Sequence, residues 1–549
     1  MWKYMLGTDI KLGAKTLRSL SSAVLLCSVL CFAPRASEAH NQLSPSFVDS
    51  GTVTLTTGGG VFDLDPASVV AAAANVMITA NIDETLVTYK GPSVNDFVPL
   101  LATSWSANPA RSVWTFHLRT GVKYHTGRCC MTSDDVKYNI ARTITANLAG
   151  AYIFGRYMTD PMKQIKVIDA HTIEFDLGVP QYTFINAIAS KNAGLILDPV
   201  AIKAHTTKTD PWAHNWVTSH DAGTGPYVLT IWQRSIQETL TAFPGYWGGW
   251  AGPHFSKILM REIPETTTRR ELLEKGQADL TFALTPQDNA ALASNPAVKV
   301  VKSPSTEIDY IAMNESGPLS NPLARQALAY AFNYAAYLQA SSLNQAKRGY
   351  GLLASTLAGF DPHIFKYSLD LNKAKTLLQQ AGVAPGTTFS YVFVTGYPAE
   401  KLAGQILQAE LAQINYKVAL QGVTQQAQGA IYFGTSPASK RPNLMNYAWW
   451  PDYNDPYDES VVLVAKNGGA NIGLYSNKTV DALLADMKQA EPAKLIADAK
   501  QVQEITTHTD PAAIWLAEPG QVNIVASSLK GYVFNPLDVQ VYSFYPMYR

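Results

Sequence analysis

Between Lys257 and Leu284 the chain changes its hydrophobic period twice. Ile258, Leu259 and Met260 make an apolar strand run, residues 266–276 carry helical spacing and stop on Gly276, and residues 279–283 return to a strand. Two strands joined through a helix of this length are not hairpin partners; they run parallel, with a right-handed crossover. The same grammar recurs at both ends. Residues 51–57 read as a strand running into Gly58-Gly59-Gly60, with a small-residue helix near 67–80, and residues 389–394, 399–414 and 417–420 read as strand, helix and strand. Val113 to Leu118 alternates strictly, with Trp114, Phe116 and Leu118 on one face, and residues 171–177 form a second alternating strand. A hydroxyl cap at Thr132 with Asp134 and Asp135 behind it starts a helix. Residues 322–343 form one long helix opened by Asn321 and Pro322, and residues 371–381 another that ends at Gly382. Extended joints near 303–314 and 508–519 divide the chain into two α/β lobes.

Charge removes one class of partner. The 549 residues hold 43 Lys and Arg against 43 Asp and Glu, with no run of five like charges, so no nucleic-acid surface is expected. The chain has no Gly-rich loop closed by Gly-Lys-Ser/Thr, no Gly-x-Gly-x-x-Gly, no Gly-x-Ser-x-Gly and no His-Glu-x-x-His. The ten His are scattered, and His214 and His220 in a Trp-rich loop read as solvated. The sequence therefore predicts no enzyme, no cofactor and no metal site.

Residues 1–39 look like an export signal. Lys3, Lys11, Lys15 and Arg18 precede an apolar stretch from Leu20 to Ala33, and Ser37-Glu38-Ala39 supplies a small-x-small cleavage step. Fourteen residues at 1.5 Å each reach about 21 Å, short of a bilayer core of roughly 30 Å. Cleavage also removes Cys27 and Cys31, neither preceded by the small residue that lipid attachment requires, and leaves the adjacent pair Cys129-Cys130. That pair admits a vicinal disulfide, a soft-metal site or two ordinary thiols, the last being the plainest reading. A soluble periplasmic protein is expected.

Several segments, in order, carry a family likeness. Leu101-Ala102-Thr103-Ser104-Trp105 is followed by Trp114-Thr115-Phe116-His117-Leu118-Arg119 and Gly121-Val122-Lys123-Tyr124-His125, then by Thr132 to Val136. Gly223-Thr224-Gly225-Pro226-Tyr227, Tyr246-Trp247-Gly248-Gly249, the run Arg325 to Ala331, and Trp450-Pro451-Asp452-Tyr453-Asn454-Asp455-Pro456 come after. Together they resemble the family 5 extracellular solute-binding proteins, receptors of peptide-type ABC importers. The resemblance implies a two-lobed periplasmic-binding-protein fold, the Venus flytrap, with a subdomain inserted in the first lobe. The boundaries expected on that plan are a signal at 1–39, lobe I at 40–90, the insertion at 91–215, lobe I again at 216–305, lobe II at 306–515, and a return to lobe I at 516–549.

In peptide-binding relatives the acidic residue opening such an Asp-x-x-Asp-Pro stretch captures the ligand's α-amino group, and Asp452 takes that place here. Asp452 or Asp455 instead holds backbone N–H groups in a turn before Pro456 if the motif is purely structural. Trp449, Trp450 and Tyr453 are the accompanying substrate-binding residues, with the indoles walling the cleft or packing in the core. The Gly223 and Tyr246 motifs read as structural turns. A ligand carboxylate would need a cation; Arg325, Arg348 and Lys347 are candidates and the sequence selects none. The expected protein is a monomer that binds a short peptide or similar amine-bearing solute and hands it to ABC permease subunits in the membrane. The rival within the family is a receptor for an oligosaccharide, an opine-like conjugate or a nickel chelate.

Overall fold

The computed structural model describes residues 46–68, 73–148, 150–434, 436–538 and 541–549. The expected export signal, residues 1–39, lies outside them. Two large sheets organise the chain. The first has seven strands in the order Val298–Ser303, Gln521–Ala526, Leu280–Phe282, Thr52–Thr57, Lys257–Glu262, Gln237–Ala242 and Tyr227–Gln233. The second has six, in the order Lys347–Arg348, Ala513–Glu518, Ile308–Met313, Leu444–Trp449, Thr388–Val394 and Lys417–Val423. Strands Lys257–Glu262 and Leu280–Phe282 are parallel, as the period change predicts, but Thr52–Thr57 lies between them and pairs with both. The mixed α/β, two-lobed expectation holds. Among the described residues no helix is long and apolar enough to cross a membrane.

The chain passes from the first sheet to the second through residues 304–307 and returns through 519–520. The strand Ala513–Glu518 belongs to the second sheet along its whole length, and Gln521–Ala526 to the first. A four-stranded sheet, in the order Ala102–Ala107, Val113–Leu118, Thr172–Asp176 and Ile165–Asp169, is separate from both. Trp114, Phe116 and Leu118 are buried on its inner face. Its companion helix Ser133–Thr145 carries the expected capping box between Thr132 and Asp135. The hairpin Val87–Tyr89 with Phe97–Pro99 straddles the 90/91 boundary.

The predicted helix over 322–343 is two helices, Pro322–Tyr330 and Tyr334–Ser342. Asn333 breaks it by acting as a cap, its side chain accepting the Ala336 N–H, while the Tyr330 carbonyl turns away to accept Asp370 N–H at 2.9 Å. A side chain that competes for backbone N–H groups favours a helix start over a helix interior.

The Gly223 and Tyr246 motifs, far apart in sequence, meet at one buried carboxyl. Glu84 accepts Thr224 Oγ1–H at 3.1 Å, Tyr246 O–H at 2.9 Å and Trp247 Nε1–H at 2.8 Å. Burial still pushes its pKa up to about 7 against those three donors. The turn reaches this position because Gly223 and Gly225 lie against the Ile82 backbone; a Cβ on Gly223 would stand 2.0 Å from the Ile82 carbonyl oxygen. Gly223→Ala is therefore expected to cost about 1–3 kcal/mol of stability as overpacking, read as a lowered urea midpoint. An unchanged midpoint would show that the turn can shift freely.

Candidate functional site

Asp452 follows the strand Leu444–Trp449 of the second sheet by three residues and stands against the segment that carries Tyr152, Ser190 and Asn192. Its side chain is buried, with a relative exposure of 8%. Asn192 Nδ2–H donates to Oδ1 at 2.8 Å, the Tyr152 hydroxyl donates to Oδ2, and Ser190 Oγ–H donates to the Asp452 carbonyl at 3.3 Å. Burial raises the pKa to about 6, opposed by the bonds from Tyr152 and Asn192. A carboxylate offers about four acceptor positions. Tyr152 and Asn192 use two, fix the orientation of the group and leave the others.

The neighbouring acids have different environments. Asp455 caps the helix Pro456–Val464 by accepting Tyr457 N–H at 2.9 Å, the turn duty that an Asp before Pro suggests. It also pairs with Arg156 at 2.5 Å. Asp458 and Glu459 are buried behind it, both raised by burial first and by neighbouring carboxylates next. Arg156 thus neutralises Asp455, whereas no Lys or Arg among the described residues pairs with Asp452.

Two cavities adjoin this point. The first, partly open to solvent, is lined by Tyr89, Lys191, Asn192, Trp450, Asp452 and Asp538 among others. Lys191 pairs there with Asp538 at 2.6 Å. The second, larger and also open, is lined by Tyr397, Glu400, Gln428, Tyr447, Trp449 and Trp450. Both indoles are wall residues, and Trp450 is shared by the two cavities. Tyr453 lines neither. It is fully buried, with its hydroxyl accepting from Arg156 Nη1–H at 3.1 Å and from Tyr157 O–H at 3.4 Å, so it braces Arg156 behind the cavity floor.

The three candidate cations for a ligand carboxylate are committed elsewhere. Arg325 is buried and binds Glu315 at 2.9 Å, Asp510 and the Leu319 carbonyl. Arg348 donates to the Tyr367 carbonyl at 2.9 Å, and Lys347 to Ser355 at 3.4 Å. His214 bonds Asp65 at 2.8 Å, and His220 stacks on Trp216. The Cys129 and Cys130 sulfurs lie against each other, the placement that a vicinal disulfide needs.

Tyr152, Arg156 and Asn192 were not legible as site residues. Tyr152 and Arg156 stand at i and i+4, one face at the short helix Ala151–Gly155, and that spacing is the only local signal they carry.

Residues 96–471 match the family model for bacterial extracellular solute-binding proteins, family 5. The probable D,D-dipeptide-binding periplasmic protein of Escherichia coli K12 is 26% identical, over 81% of this chain and 83% of that protein. Heme-binding protein A of Haemophilus influenzae is 26% identical over 95% of this chain and 97% of its own. The periplasmic binding protein DppA of Helicobacter pylori, solved in complex with the peptide STSA, superposes with a TM-score of 0.79 at 25% identity, covering 91% of this chain and 98% of that one. With the two-lobed fold and the Asp452 motif, these likenesses establish that the chain belongs to the family 5 bacterial extracellular solute-binding proteins.

Proposed function

We propose that this protein is the periplasmic receptor of an ABC importer, binding short peptides or similar amine-bearing solutes between its lobes and delivering them to membrane permease subunits. It acts as a monomer, is exported by cleavage after Ala39, closes about the two passages at 304–307 and 519–520, and catalyses no reaction. The observation that carries the reading is Asp452: a buried carboxyl, lining a cavity, oriented by two donors and paired with no cation among the described residues. An ammonium taken from water into a closed cleft costs several kcal/mol unless a charge with good hydrogen bonds replaces the solvent. The names of the relatives, which include dipeptide-binding proteins, support the same chemistry.

Thermal unfolding of the mature protein with free-amine and N-acetylated tripeptides tests this. A free-amine peptide at 100 times its Kd should add about 2.7 kcal/mol, and its acetylated twin nothing. The amine needs the ionised carboxyl, whose pKa lies near 6, so affinity should hold above pH 7 and fall roughly ten-fold by pH 5. Equal stabilisation by both peptides, or no pH dependence, would sink the amine anchor. Sugars, opine-like conjugates and Ni(II) belong in the same assay, and a shift with one of them alone would assign a non-peptide solute.

A further inference from the structure

The second cavity differs from the first in its chemistry. Tyr397, Tyr447, Trp449 and Trp450 give it aromatic walls, Gln428 adds an amide, and its one charged wall group is Glu400. It opens at the carboxyl ends of Thr388–Val394 and Leu444–Trp449, which pair in parallel. In an α/β sheet that end is where ligand crevices form.

Glu400 lies in the first turn of the helix Pro398–Ala412. Its Oε2 accepts Val394 N–H at 2.7 Å, and the carboxyl makes no further hydrogen bond or ion pair among the described residues. Burial lifts it to about 7, with only that N–H pulling the other way. Two more carboxyls, on the strand Ile308–Met313 and the residue before it, are linked electrostatically to Glu400, and a cation entering the cavity would favour the ionised forms. Asp309 is raised by burial and then by Glu400, and Glu307 by burial and then by Asp309. Among the described residues no cation acts on any of the three.

Aromatic faces attract a cation through the ring quadrupole, and a carboxylate replaces its lost hydration. An anionic group entering the same space would meet only like charge. The geometry points to this cavity as the subsite for a cationic side chain of the bound solute, the ammonium of lysine or the guanidinium of arginine. The inference rests on the peptide reading above. Because Trp450 lines both cavities, a peptide held by its amine at Asp452 runs along that indole into the second cavity.

The test is calorimetric titration of the full mature chain with alanine tripeptides carrying lysine or its uncharged isostere norleucine at position one, two or three, and arginine or citrulline likewise. At one position at least, the charged peptide should bind ten-fold or more tightly than its isostere. Glu400→Gln, which keeps an acceptor for Val394 N–H, should bring that ratio within about two-fold. Equal affinities at every position would overturn the subsite and leave the receptor reading standing, and the wild-type comparison alone decides this. A charge preference that survives Glu400→Gln would overturn it too, by placing the cation elsewhere. Absence of binding by every peptide would overturn the peptide reading, and the subsite with it.

Discussion

Asp452→Asn is expected to weaken a free-amine tripeptide by at least about thirty-fold, since truncating one partner of a buried, hydrogen-bonded charge pair costs roughly 2–5 kcal/mol. Asparagine keeps the shape, and its oxygen can still accept a bond from Tyr152 or Asn192, so the loss isolates the charge. Acetylating the peptide removes the other charge. The two changes should therefore fail to add: an acetylated peptide should bind the variant about as poorly as it binds wild type. Stability should move little or rise, because burial already penalises this carboxylate and replacing a buried charge by a neutral isostere removes that penalty. Calorimetry showing the variant within three-fold of wild type would exclude Asp452 as the anchor.

An effect of comparable size, on stability and not on binding, is expected at the Arg142–Asp65 pair. Arg142, buried in the helix Ser133–Thr145, donates from Nη1 to Asp65 Oδ1 at 2.8 Å and from Nη2 to Oδ2 at 2.6 Å. Burial alone would raise the Asp65 pKa, and the guanidinium more than reverses this, holding it well below the usual carboxylate range. Such a depressed group gives stability that is present above its unfolded pKa, near 3.9, and lost as pH falls through the folded value. Arg142→Met leaves Asp65 buried with His214 as its remaining basic partner and should cost about 3–5 kcal/mol at pH 7. The deficit should shrink toward pH 4, because the unpaired carboxyl can then protonate. Adding Asp65→Asn should recover part of the loss. Urea unfolding at pH 7 and pH 4 measures all three, and a pH-independent deficit would mean that lost packing dominates.

The periodic elements were legible wherever one face of a strand or helix is buried, as in Val113–Leu118 and the unit from Lys257 to Phe282, because burial writes its period directly into the residues. The helix over 322–343 was misjudged because apolar spacing continues across Asn333, whose capping duty is visible only as a polar residue in an apolar run. Asp452 was found through the resemblance and not through its spacing. Its partners Tyr152 and Asn192 stand 300 and 260 residues away, and contacts at that distance leave no mark in any local window. The same is true of Glu84, which looks like any surface acid until the fold brings Thr224, Tyr246 and Trp247 to it.

The two passages between the sheets lie side by side. Ser303 faces Gln521 in one sheet, and Asp309 faces Ala517 in the other. Two adjacent segments define a line, and a body attached along a line keeps one angular freedom. Under the proposed function, occupancy is then encoded as a single angle. A membrane complex that reads this angle need not inspect the cargo, so one receptor can accept chemically varied solutes and still send an unambiguous signal.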